Sequence, residues 1–160
     1  LATTVTVNAS GTLKGAGTVD VTSAAANAVD VFGTVSPGNS PGILTIDGNI
    51  TFESGSQLRI ERLGSATPGE DYGVLNVIGG VTFVSGSLLN LSQSYAPGVE
   101  SWDIVTATGG VSGWENLSLL PKYVLELNGN TLTLSHIPEP ASLSIVALAG
   151  LAAIGCRRRR

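Results

Sequence analysis

His136 is the only histidine in the 160-residue chain, so any Ser/His/Asp triad or imidazole-based metal site would have to be built on it. It stands two residues before Pro138, in a stretch that reads as a linker. Cys156 is the only cysteine; it cannot form an internal disulfide and has no Cys or His partner at a zinc-ligand spacing. The carboxylates offer more. Glu53, Glu61 and Asp71 are of the type that cleaves glycosidic bonds when two flank a substrate. Nothing in their spacing singles out a pair, and a solvated face accounts for them. Glu70-Asp71 after Gly69 reads as a turn with, at most, weak calcium-binding capacity. Gly15-Ala16-Gly17 lacks the lysine and the helix of a phosphate-binding loop. No catalytic, cofactor or metal site is assigned, and the chain is expected not to be an enzyme.

Short strands must hold these residues in place. Gly supplies 21 residues, while charged residues make up 12% and aromatics 5%. Globular domains carry about 25% charged residues, so Ser, Thr, Asn and Gly must build much of this surface. Gly and Asn accept the positive φ of tight turns, and Gly disfavours long helices. Residues 1–137 hold four basic and eleven acidic residues, a net charge of −7; the other four basic residues are Arg157, Arg158, Arg159 and Arg160. An acidic body is a poor partner for phosphate backbones, so nucleic acid is not an expected partner. Methionine is absent and the chain starts at Leu1, so a further N-terminal portion bearing an export signal is expected.

Period-2 runs bounded by turn residues fill the middle of the chain. Ile43-Leu44-Thr45-Ile46, the turn Asp47-Gly48-Asn49 and Ile50-Thr51-Phe52 lead through Ser54-Gly55-Ser56 to Leu58–Leu63. In that last run Leu58, Ile60 and Arg62 fall on one face. Val74–Val77, Val81–Val84 and Leu88–Leu91 repeat the arrangement, and Val124–Leu127 with Leu132–Leu134 closes it. Strands beginning at 43 and 50, 74 and 81, and 124 and 131 are each seven apart. This spacing fits a solenoid of about 20 residues per coil, which gives roughly six or seven coils. Asn-Gly and Asp-Gly turns equally suit the hairpins of an antiparallel sandwich. Pro37-Gly38-Asn39-Ser40-Pro41-Gly42 reads as a rigid corner, or as a binding loop.

Residues 35–49 and the block Trp102–Gly113 resemble the passenger regions of autotransporters and related bacterial surface proteins, and the resemblance covers about residues 33–135. It implies a right-handed parallel β-helix. The family often has Asp where this chain has Gly73. Thr-x-Thr pairs at Thr4/Thr6 and Thr131/Thr133 raise ice binding, since some ice-binding solenoids are similar in layout. That function needs a flat, regular array, and two separate pairs do not make one. The sequons at Asn8, Asn49, Asn90 and Asn116 read as products of composition.

The last 25 residues have a different character. Pro138-Glu139-Pro140 keeps the junction extended, sixteen uncharged residues run from Ala141 to Cys156, and four arginines follow. A helix over 141–156 would be about 24 Å long, slightly short of a hydrocarbon layer of about 30 Å, which snorkelling arginines or local thinning would accommodate. The arginines stay cytoplasmic and place the acidic body outside. A buried core helix with a solvated basic end is the soluble alternative. The order of these three parts resembles the PEP-CTERM sorting signal of Gram-negative bacteria. That resemblance implies recognition of Pro138, Glu139 and Pro140 by an exosortase, with Arg157–Arg160 as the membrane stop, and a link to exopolysaccharide and biofilm.

The expected architecture is therefore all-β. A β-solenoid body spans 1–135, is N-terminally incomplete and precedes a single C-terminal transmembrane helix within a sorting tail, 136–160. The expected role is an exported cell-surface or matrix structural protein, held in the inner membrane as a precursor and surface-bound or secreted after processing. Its expected partners are an exosortase, the inner membrane and exopolysaccharide. The alternatives are a polysaccharide-binding or polysaccharide-degrading β-helix protein, and an adhesin or ice-binding surface protein.

Overall fold

Alternation of apolar and polar side chains makes this chain into strands with one buried face. The computed structural model describes residues 4–24, 27–39, 41–63, 67–92 and 101–137. Its strands are β1 (Val5–Val7), β2 (Thr12–Gly15), β3 (Gly17–Asp20), β4 (Ala28–Val31), β5 (Thr34–Pro37), β6 (Ile43–Asp47), β7 (Asn49–Phe52) and β8 (Gln57–Glu61). After these come β9 (Val74–Ile78), β10 (Val81–Phe83), β11 (Leu88–Ser92), β12 (Ser101–Ala107), β13 (Val111–Ser112), β14 (Tyr123–Asn128) and β15 (Thr131–His136). In β8, Leu58 and Ile60 are buried while Arg59 is exposed. The expected face continues to Arg62, which is only 2% exposed. Among the described residues no helix is long and apolar enough to cross a membrane. Residues 141–156, where the sequence predicts one, lie outside the described residues.

The strands sort into three sheets. The first is ordered β1-β4-β7-β10-β13, the second β11-β8-β5-β2, and the third β14-β15-β12-β9-β6-β3. From β1 to β12 the chain visits the first, second and third sheets in that order four times, and every pairing among these strands is parallel. This is compatible with a β-helix. The circuits are longer and fewer than the sequence spacing suggests. Val5, Val29, Ile50, Val81 and Val111 are successive register partners, separated by 24, 21, 31 and 30 residues. Part of the extra length lies at the corner between β8 and β9. There Leu63 N–H bonds Asp71 O at 2.7 Å and Gly73 N–H bonds Glu61 O at 2.9 Å.

The equal seven-residue spacings hide two different geometries. At Asp47-Gly48-Asn49, Gly48 takes φ 133° and carries the chain from the third sheet to the first. At Asn128-Gly129-Asn130, Gly129 takes φ 61° and folds β14 back on β15 as an antiparallel hairpin. β15 also pairs antiparallel with β12, across a register shift between Asp103 and Val105. The end of the third sheet is therefore a hairpin and not another parallel circuit. The seven-residue spacing thus goes with parallel pairing at β6 and β7 and with an antiparallel hairpin at β14 and β15.

Stacked apolar columns fill the interior. Phe52 and Phe83 are register partners with rings stacked at 4.9 Å, and Ile50, Leu58, Ile60, Leu75, Val77 and Ile104 are at most 1% exposed. Each such side chain contributes about 1.5–3 kcal/mol of apolar burial. The Pro-Gly corner is tightly packed: Gly38 takes φ 86°, and a Cβ there would lie 2.0 Å from Gly42 N. A Cβ at Gly73 would lie 2.8 Å from Pro37 O, so the Asp common in the resembling family would not fit without movement.

Candidate functional site

β15 ends at His136, where the sequence runs on into the tail, and this strand end is bonded to its neighbours. β15 is an inner strand, with β14 on one side and β12 on the other. Its last residue, His136, is in register with Tyr123 of β14, and Ser135 is in register with Ser101 of β12. Ile137 then donates its N–H to Lys122 O at 2.9 Å. Pro138 is the next residue. His136 is thus not in a linker, as its sequence position suggests, but at the end of a strand paired on both sides.

One buried cation holds the two flanking strands. The Arg62 guanidinium lies 4.7 Å from the centre of the Trp102 ring and 4.8 Å from that of Tyr123. Its Nη2 donates to Tyr123 Oη at 2.9 Å. Trp102 belongs to β12 and Tyr123 to β14, and their rings meet edge-on at 6.5 Å. His136 stacks edge-on against Tyr123 at 5.3 Å. A desolvated cation–π contact contributes about 2 kcal/mol, and two are made here by a side chain that burial would otherwise penalise. Arg's flat, weakly hydrated group suits this place between two rings better than a lysine ammonium.

Tyr72, itself 5% exposed, bridges Arg62 through the backbone and adds to the same corner. Burial pushes its phenol above the ordinary value of 10.0 and the Asp103 carboxylate raises it further, while a hydrogen bond from the Asp103 backbone offsets part of this. Asp103 is also held from the other side, accepting the Thr133 hydroxyl at 2.7 Å.

The other candidates fall elsewhere. Glu53 lies in the corner before β8 and Glu61 ends that strand, so these two carboxylates stand at opposite ends of β8. Asp71 lies in a turn, as expected, and its carboxylate accepts Thr67 N–H at 2.9 Å. Among the described residues no three His, Cys, Asp or Glu side chains are grouped to hold a metal. An open groove of about 310 Å³ beside β11 is lined by Gln57, Leu88–Leu91 and Ser118–Leu120, none of them an acid or a base. Thr6 lies in the first sheet and Thr131/Thr133 in the third, so the two Thr-x-Thr pairs share no face.

Sequence reasoning missed two arrangements. One is a column formed by register, Thr18, Thr45, Asn76, Thr106 and Thr131. Within it Thr106 Oγ1 donates to Asn76 Oδ1 at 2.9 Å. Aligning the Leu44, Leu75 and Val105 blocks would have exposed it. The other is the Arg62 stack, whose members are 40 and 61 residues apart with no local signal joining them. Pro138, Glu139, Pro140 and Arg157–Arg160 lie outside the described residues.

No curated protein matches the chain. Residues 136–160 match the PEP-CTERM protein-sorting motif, a mark of exported proteins sorted by an exosortase, and the match begins at His136, the residue with which β15 ends.

Proposed function

We propose that this chain is a non-enzymatic structural protein of the bacterial cell surface or extracellular matrix, displayed through its sorting tail. The observation that carries the reading is the sorting-motif match at 136–160, which starts on the last strand of an all-β body. In this reading the body is a right-handed parallel β-helix, supported by four ordered passages of β1 to β12 through three sheets, with every pairing among those strands parallel. Pro138, Glu139 and Pro140 are what the exosortase recognises. Ala141–Cys156 spans the inner membrane, and Arg157–Arg160 hold the cytoplasmic side. Released chains join an exopolysaccharide matrix, where an acidic, hydroxyl-rich stack resists dissociation and offers hydrogen bonds along its length.

A structural role is favoured over hydrolysis by the separation of Glu53 from Glu61 and by the lining of the groove beside β11. Glycosidic cleavage uses two carboxyl groups about 5–10 Å apart, whereas Glu53 and Glu61 are divided by the length of β8 and the groove beside β11 has no carboxylate lining.

Cell fractionation tests the address. The truncation belongs after Ile137, since His136 and Ile137 are bonded into the body. The full chain is expected first in the inner membrane and then at the surface or in the medium, and the truncated chain in neither membrane nor surface fraction. Identical soluble, cytoplasmic behaviour of both forms would falsify the reading.

A further inference from the structure

The body is hydrogen-bonded up to the residue before Pro138, two residues into the sorting-motif match. Ile137 N–H is bound to Lys122 O, β15 is paired with β14 through His136, and its pairing with β12 runs through Ser135. Backbone already bonded to its own sheet must give up those bonds before a second protein can take their place. Drawing the residues before Pro138 into an enzyme cleft therefore breaks the bonds that His136 and Ile137 make to the β14 side.

We propose that the Arg62–Trp102–Tyr123 stack is a catch on this strand end, and that its release sets how fast the exosortase gains the motif. The inference rests on the sorting reading above. Three features support it. Tyr123–His136 is the hairpin pair farthest from the Gly129 turn, the place where fraying begins. β14 is the edge strand of its sheet and is held in the sheet by β15 alone. Arg62 stacks on one residue from each strand flanking β15, and both lie near the exit: Trp102 is in register with Leu134, and Tyr123 with His136. Opening the exit requires Tyr123 to leave the guanidinium that it covers. Arg62 is a positioning residue in this scheme and touches no reacting atom.

The test is pulse–chase measurement of tail loss from the full chain in a host that holds the exosortase. Three variants are needed: Tyr123→Ala, a flexible Gly/Ser insertion of about six residues between Ile137 and Pro138, and the two combined. Tyr123→Ala is expected to speed tail loss about tenfold, the factor that corresponds to about 1.4 kcal/mol of lost grip. The insertion leaves every contact of the body intact and is expected to speed it at least as much. The combined variant is expected to match the insertion alone, because a motif already clear of the body gains nothing from a released catch. An insertion that leaves the rate unchanged or slows it overturns the catch while the sorting reading stands. So does a combined variant faster than the insertion. Failure of every form, wild type included, to lose its tail overturns both.

Discussion

Arg62 shows how a single residue can be readable in type and unreadable in role. The period-2 run Leu58, Ile60, Arg62 places it on the buried face, and it is buried. Nothing local says that a charge there finds Trp102 and Tyr123, because the contacts are made by register between distant strands. His136 shows the reverse: proximity to Pro138 suggests a linker, and its pairing with Tyr123 is decided by the turn at Gly129, seven residues earlier. Tyr72 carries the pH dependence of this corner. Its folded-state pKa is raised, so in the unfolded chain it ionises at lower pH than in the folded one. The stabilising share is fully present below pH 10 or so and is lost as pH rises through the folded value. Tyr72→Phe should flatten the alkaline fall in the urea midpoint, and an unchanged alkaline profile would show that Tyr72 does not set it.

At the scale of elements, turn chemistry was legible and turn outcome was not. Asp47-Gly48-Asn49 and Asn128-Gly129-Asn130 look alike, yet one passes between sheets and the other closes a hairpin. The difference lies in what each following strand finds to pair with. β7 meets β4 in parallel, whereas β15 meets an open edge of β12 and takes β14 with it. Strand existence followed from alternation of Val, Ile and Leu with Thr, Asn and Ser. Circuit length did not, because a corner such as that between β8 and β9 adds residues and, among the described ones, no further strand. The Pro-Gly stretch reads in the sequence as a rigid corner or a binding loop, and the close approach of Gly38 to Gly42 predicts a cost. Gly38→Ala forces a side chain onto φ 86° and against Gly42 N. The expected loss is about 2 kcal/mol or more, read as a lower urea midpoint with an unchanged slope. Stability equal to wild type would mean that the corner yields.

Across the whole molecule, the parallel stack and the tail have separate tasks joined at β15. The stack buries its own apolar faces and carries most of the acidic charge; the tail carries the address. Composition alone divided them, since an uncharged run followed by four arginines has no place in a Ser/Thr-rich strand body. What composition could not show is how closely the two abut, with the sorting match beginning on a strand residue. That closeness makes the mature C-terminus the most direct test. Peptide mapping of protein recovered from the cell surface or medium should find the β15 segment through Ile137 and no peptide from Ala141–Arg160. Recovery of intact chains with the four arginines still attached, in the cytoplasm and nowhere else, would contradict the account.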